Sequence, residues 1–220
     1  MTHGEKMRRW RSPALMLVTD RRRARGRPLE EIVSLAVDGG VNIVQLREKG
    51  LPARELYHLA LTVHAVVRGR ALLVVNDRVD VASSCGADGV QLPSDGLPLD
   101  AAGDVDATLL LGQSVHSAPG AVEAQHRGAD FVVLGTVFET ASKPGARTLG
   151  LEGVRRAAEA ISIPLIAIGG ITAANAGDVI DAGAGGVAVI SAIMDADDPL
   201  EAARSLWQAV ESRWVQAAPR

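Results

Sequence analysis

The chain has 220 residues, with Lys+Arg 23 against Asp+Glu 26 for a formal net charge of -3, and 47% hydrophobic against 22% charged residues. That balance excludes a disordered or fibrous chain, and the charge lacks the strongly basic footprint of a nucleic-acid binder. Cys85 is the one cysteine, which excludes an intramolecular disulfide and points to the cytoplasm.

Residues 1–12 carry Lys6, Arg8, Arg9 and Arg11 and read as a flexible lead-in, with 13–220 as a single domain. The apolar segment Ala14–Val18 is shorter than the roughly 7–15 residues of a signal-peptide core. No run approaches the roughly 18 apolar residues of a membrane span. Short Val-, Ile- and Leu-rich runs follow in order at Leu15–Val18, Ile43–Leu46, Leu72–Val75, Gly89–Leu92, Leu109–Leu111, Phe131–Leu134, Leu165–Ile168 and Val187–Ile190. They are apolar nearly throughout, as strands buried on both faces of a parallel sheet are. Helical stretches are predicted between them at Leu29–Val37, Ala53–Val67, Ala121–Arg127 and Leu151–Ile161. In the second of these, Leu56, Leu59, Ala60, Val63 and Val67 recur at the three- and four-residue spacing of one buried face.

A weak internal echo supports repetition. Gly86-Ala87-Asp88-Gly89-Val90, Gly128-Ala129-Asp130-Phe131-Val132 and Gly183-Ala184-Gly185-Gly186-Val187 each place glycine where a helix ends and a strand begins. Eight strands with intervening helices favour a closed (β/α)8 TIM barrel over an open doubly wound sheet.

Active sites of such barrels lie at the C-terminal ends of the strands, so the polar residues there are the candidates. Strand two runs out through Gln45-Leu46-Arg47-Glu48-Lys49. Gln45, Arg47 and Lys49 alternate and should project to one side. They read either as a clamp for a multiply charged anion such as a diphosphate, or as a solvated strand end balanced by Glu48. Strand one ends in Thr19-Asp20 and strand three in Asn76-Asp77-Arg78. Strand four ends in Gln91-Leu92-Pro93-Ser94-Asp95 and strand five in Ser114-Val115-His116. Asp77 and Asp95, with phosphate oxygens, are a donor set for Mg2+; alternatively Asn76 or Asp77 caps the next helix. After strand six, Thr140, Ser142 and Lys143 lie in a long loop that either closes over substrate or is plainly exposed. Gly169 and Gly170 after strand seven, with Ser191 after strand eight, have the make-up of a phosphate site, or simply permit a tight turn.

The arginines Arg21, Arg22, Arg23, Arg25 and Arg27 either draw anionic substrates to the site or form a solvated loop, the commoner fate of a short charge run, and His58, His64 and His126 read as partly exposed packing residues. His116, at a strand end, keeps a possible site role, and Cys85 reads as packing. Trp207 and Trp214, seven apart on the final helix, pack on the barrel or on a second subunit, which leaves a homo-oligomer open.

Leu17-Val18-Thr19-Asp20, Gln45-Leu46-Arg47-Glu48-Lys49, Asn76-Asp77-Arg78, Ala167-Ile168-Gly169-Gly170-Ile171 and Gly186-Val187-Ala188-Val189-Ile190-Ser191 together resemble the thiamine-phosphate synthase/TenI superfamily. The resemblance covers nearly the whole chain and implies a role in vitamin B1 synthesis. Synthases of that family join hydroxymethylpyrimidine diphosphate to thiazole phosphate and release pyrophosphate. It implies that Gln45, Arg47, Lys49, Asn76 and Lys143 hold the diphosphate and Asp77 binds Mg2+. Thr140, Ser142, Gly170, Ile190 and Ser191 would contact the thiazole phosphate. TenI-like members instead aromatise a thiazole carboxylate phosphate by moving a proton, and a silent precursor-binding homologue is the third possibility.

The sequence departs from both enzyme patterns. The metal-binding aspartate of synthases aligns with Gly96, while Asp95 comes one residue early. The acid-base histidine of the tautomerases is here Thr136, whose hydroxyl does not titrate near neutrality. The second loss is the harder to replace, so the expectation is a synthase, acting on small phosphorylated substrates with no nucleic-acid or membrane partner.

Overall fold

The computed structural model describes residues 6–140, 145 and 147–217, without the side chains of 215–217. Its strands are β1 (Ala14–Val18), β2 (Ile43–Leu46), β3 (Leu72–Asn76), β4 (Gly89–Leu92), β5 (Leu110–Val115), β6 (Phe131–Gly135), β7 (Leu165–Ile168) and β8 (Gly186–Val189). Each pairs in parallel with the next, and β8 closes on β1 with Met16 opposite Ala188. The intervening helices are α1 (Leu29–Asp38), α2 (Ala53–Val67), α3 (Val79–Ser84), α4 (Leu99–Val105), α5 (Ala118–His126), α6 (Gly150–Ala160) and α7 (Ala176–Asp181). A one-turn α8 (Ser191–Met194) and the long α9 (Pro199–Ala217) complete the ring. The expected (β/α)8 barrel is the architecture found.

The alternation of the strands explains their uniform apolarity. Met16, Val18, Ile43, Val74, Leu110, Phe131 and Ile166 point inward and fill the barrel. Leu15, Leu17, Val44, Leu73, Val75 and Val132 point outward into a second core beneath the helices. Connections from helix to strand are tight: Gly128, at φ +91, ends the turn after α5 in a conformation that disfavours any side chain.

Residues 6–12 of the expected lead-in lie across the N-terminal end of the barrel. Trp10 tilts against Phe131 with ring centroids 5.1 Å apart. Arg9 Nη1 bonds Asp88 at 3.1 Å and its Nη2 donates to the Thr108 carbonyl at 2.8 Å. Lys6 pairs with Asp130 at 3.6 Å. This stretch therefore packs as part of the barrel's base.

Helix α9 packs on α1 and α7. Trp207 fits against Gly40, where an added Cβ would stand 2.7 Å from its Cγ, and Trp214 is partly buried on the outer core. Both tryptophans are thus used within the barrel. Among the described residues, no helix is long and apolar enough to cross a membrane.

Candidate active site

The C-terminal ends of the strands surround a cleft of about 1340 Å³, larger than most single-ligand pockets. Its floor has two halves. On one side Gln45, Asn76, Gln91 and Ser114 rise from β2 to β5, with Gln45 Nε2 donating to Asn76 Oδ1 and Gln91 Nε2 to Ser114 Oγ, each at 3.0 Å. On the other, Val133, Ile168, Ala188 and Val18 present hydrocarbon. An amide-lined half and an apolar half suit a flat polar heterocycle beside a less polar ring.

Arg47 and Lys49 line the cleft above the amide half; Arg47 is half-buried and Lys49 exposed. Glu48 does not balance them in solvent, as the solvated-strand reading has it. It is buried, and accepts hydrogen bonds from the Thr19 hydroxyl at 2.6 Å and the Arg21 N–H at 3.0 Å.

Asp77 and Asp95 line the same side of the cleft, both exposed. Asp77 adopts φ +66, a conformation uncommon for a residue with a side chain. Its Oδ1 faces Gly96, where an added Cβ would stand 3.1 Å away. The capping alternative is not what is found: α3 has no side-chain cap, and the Asn76 side chain instead accepts from Gln45. Among the described residues, no three His, Cys, Asp or Glu side chains gather as a metal cage.

Opposite these groups stand Gly169, Gly170, Ile190, Ser191 and Thr140. Gly170, at φ +65, lies close under the backbone of Phe138 and Glu139, so the loops after β6 and β7 are in contact. The Phe138 N–H donates to the Gly169 carbonyl at 3.0 Å. Asn175 Nδ2 donates to the Gly170 carbonyl at 3.0 Å and its Oδ1 accepts from the Thr172 N–H at 2.8 Å. Ser142 and Lys143 lie outside the described residues.

The arginine loop after β1 keeps Arg21, Arg22 and Arg25 exposed, as a solvated segment does, but ion pairs also anchor it. Asp20 pairs with Arg22 at 2.9 Å, and that hydrogen bond holds its carboxyl below the ordinary aspartate range. Arg23 reaches Asp195 at 2.6 Å, Arg25 reaches Asp197 at 2.9 Å, and Arg27 donates to the Ala196 carbonyl at 2.8 Å. The loop is thereby tied to the segment after α8. Arg22, Arg23 and Glu48 all line the cleft; from sequence the two arginines carried only a general attraction for anions, and Glu48 only the part of a solvated counter-charge. Their common signal was Thr19-Asp20 ending the strand beside Gln45-Leu46-Arg47-Glu48-Lys49.

His116 also lines the cleft, with Nδ1 2.6 Å from the Gly135 carbonyl oxygen. A carbonyl only accepts, so Nδ1 carries the proton. His64 lies away from the cleft, against the Cys85 carbonyl at 2.9 Å. Cys85 is buried, and burial pushes its thiol up from the usual range.

Residues 15–193 match the family model described as thiamine monophosphate synthase. The chain is 43% identical over 198 residues to a thiamine-phosphate synthase of Pyrococcus furiosus, covering 90% of this chain and 94% of the relative. It is 47% identical over 195 residues to a thiamine-phosphate synthase of Methanoculleus marisnigri, covering 87% and 92%. Among solved structures it resembles the thiamine phosphate pyrophosphorylase from Pyrococcus furiosus with a TM-score of 0.85 and 42% identity, over 90% of this chain and 96% of that one.

Proposed function

The chain belongs to the thiamine monophosphate synthase family, and on that premise we propose that it couples hydroxymethylpyrimidine diphosphate to thiazole phosphate, releasing pyrophosphate. The observation that carries this reading is the two-sided cleft. Cations and carboxylates from β2 to β4 face a glycine- and serine-lined end from β7 and β8, over a floor polar on one half and apolar on the other.

In this reading the pyrimidine ring lies over the amides of Gln45, Asn76 and Gln91, with Ser114 beside them. Its diphosphate extends to Arg47 and Lys49, joined by Lys143 from the loop after β6. The carbon–oxygen bond to the diphosphate breaks first, the electron pair leaving on oxygen. The ring-stabilised cation left behind is attacked by the thiazole nitrogen. Arg47 and Lys49 stabilise the charge that grows on the leaving group, which is the electrostatic form of catalysis. The apolar half of the floor lets the cation and thiazole meet away from water. The thiazole phosphate is held by the backbone of Gly169, Gly170 and Ile190 and by Ser191, Thr140 and Ser142.

Mg2+ belongs to the proposal, with Asp77 and Asp95 as the residues that would hold it. Two carboxylates on neighbouring loops fit an ion that keeps several waters and completes its shell with substrate phosphates rather than a protein cage. When bound, the ion neutralises charge on the departing diphosphate. A cytoplasmic setting, where the single thiol stays reduced, is part of the same reading.

The test is pyrophosphate release from the purified protein with each substrate alone and with both. Release that requires both substrates is the expected result. Release from the pyrimidine diphosphate alone, unaffected by thiazole phosphate, would make the protein a hydrolase and end the proposal.

A further inference from the structure

Glu48 sits between the two clamp cations in sequence, yet its side chain is only 3% exposed. Its Oε1 accepts from the Thr19 hydroxyl at 2.6 Å, and both carboxylate oxygens accept from the Arg21 N–H, at 3.2 and 3.0 Å. Thr19 is fully buried, and its hydroxyl oxygen in turn accepts from the Arg47 N–H at 3.0 Å. One continuous relay therefore runs from the Arg47 backbone through Thr19 and Glu48 to the Arg21 backbone. It fixes the end of β2 against the start of the loop after β1. That loop brings Arg22 and Arg23 to the cleft, and Arg23 continues to Asp195, in the segment that follows the neighbouring strand β8.

A buried carboxylate is costly unless several donors satisfy it. Placed at the rim of an anion-binding cleft, it also repels the ligand. Glu48 Oε2 also lies 4.0 Å from Arg21 Nε, a long and partly solvated ion pair, so the three short hydrogen bonds, all from Thr19 and Arg21 just past the end of β1, are what fix it. We propose that Glu48, acting through Thr19, is the positioning residue of the diphosphate clamp, holding the Arg47 and arginine-loop backbones in the geometry that grips the anion. This rests on the clamp assignment made above for Arg47 and Lys49.

Positioning and simple charge balance predict opposite signs, which makes the test sharp. Glu48→Gln removes a negative charge from beside the diphosphate. If Glu48 only offset the cations, its loss would tighten anion binding. If it positions them, binding weakens in spite of the lost repulsion, by about tenfold, since small misplacements of a gripping group cost at least that much.

The measurement is calorimetric titration of the full-length protein with pyrophosphate, alongside the KM for the pyrimidine diphosphate. Glu48→Gln is expected to weaken both. Tighter or unchanged binding by a folded Glu48→Gln protein overturns the proposal. Should that variant fail to fold, Thr19→Val and Thr19→Ser carry the test without removing a charge. Serine keeps the relay and should bind as the parent chain does, whereas valine breaks it and should bind about tenfold more weakly. Equal affinities in the two would again overturn it. Arg47→Ala separates the two levels. If it leaves pyrophosphate affinity intact, the clamp assignment itself fails. If it weakens binding while Glu48→Gln and Thr19→Val do not, only the positioning role fails.

Discussion

Gly170→Ala tests whether the phosphate end of the cleft is built by close backbone approach. Gly170 stands at φ +65, and an added Cβ would press into the Glu139 carbonyl oxygen and come within 2.8 Å of Phe138 Cβ. The left-handed conformation costs an alanine about 1–2 kcal/mol. Forcing apart well-packed groups adds about 1–3 kcal/mol, because the Asn175 and Phe138 hydrogen bonds prevent the loop from sliding aside. The sum is about 2–5 kcal/mol. Gly128→Ala supplies the control: φ is +91, nothing lies within 4 Å of the new Cβ, and only the conformational cost applies. At about 2–4 °C per kcal/mol for a chain of this size, Gly128→Ala should lower the melting temperature by roughly 2–8 °C and Gly170→Ala by roughly 4–20 °C. Thermal unfolding by circular dichroism measures both, and titration with thiazole phosphate should show weakened binding only for Gly170→Ala. Equal melting temperatures for the two variants, with thiazole phosphate bound normally by both, would refute the close-approach reasoning.

Arg47→Ala should weaken pyrophosphate binding by about 2–4 kcal/mol, the scale of one charge-assisted contact to a largely desolvated anion; unchanged calorimetric affinity would remove Arg47 from the clamp. Asp95→Asn should raise the Mg2+ concentration needed for half-maximal activity while leaving thiazole phosphate binding intact, and an unaltered Mg2+ dependence would reduce Asp95 to a loop residue. Hydrogen bonds from the Thr108 hydroxyl and N–H, with a third from Ser83, hold the Asp106 carboxyl below the ordinary aspartate range. A carboxyl depressed on folding stabilises above its unfolded value, about 3.9, and that stability is lost as pH falls through the lower folded value. Asp106→Asn should therefore be less stable than the parent at pH 7, with the gap closing below about pH 3.9. Urea unfolding across that range checks it, and a gap independent of pH would contradict the linkage.

The barrel was legible because each strand is buried on both faces. Leu15 outside and Met16 inside are both apolar, so the period-two signal disappears into a continuous run. Strand five reads short in the sequence, ending at Leu111, because Gln113 and Ser114 interrupt the apolar run where β5 enters the polar region of the cleft. Helices α3 and α7, each of six residues, and α8, of four, are too short to display a helical period. The rule that chemistry sits at the C-terminal strand ends singles out Gln45, Arg47, Lys49, Asn76, Asp77 and Asp95, and all six line one cleft. It missed the burial of Glu48, because a charged residue just past the end of β2 reads as solvated. Its true partners lie 27 to 29 residues away on another strand end. The anchoring of the arginine loop is hidden for the same reason: Arg23 meets Asp195 across 172 residues, a pairing only barrel closure creates.

The most direct test of the coupling reaction is product identification. Purified protein would be incubated with the pyrimidine diphosphate, the thiazole carboxylate phosphate as its unaromatised tautomer, and Mg2+, and products read by mass and ultraviolet spectrum. Thiamine phosphate with equal amounts of pyrophosphate and of carbon dioxide, the latter from the carboxylate this substrate carries beyond thiazole phosphate, all abolished by a chelator, is the predicted result. Aromatised thiazole without coupling would contradict it and assign proton transfer to the cleft, with His116 as the imidazole in its lining.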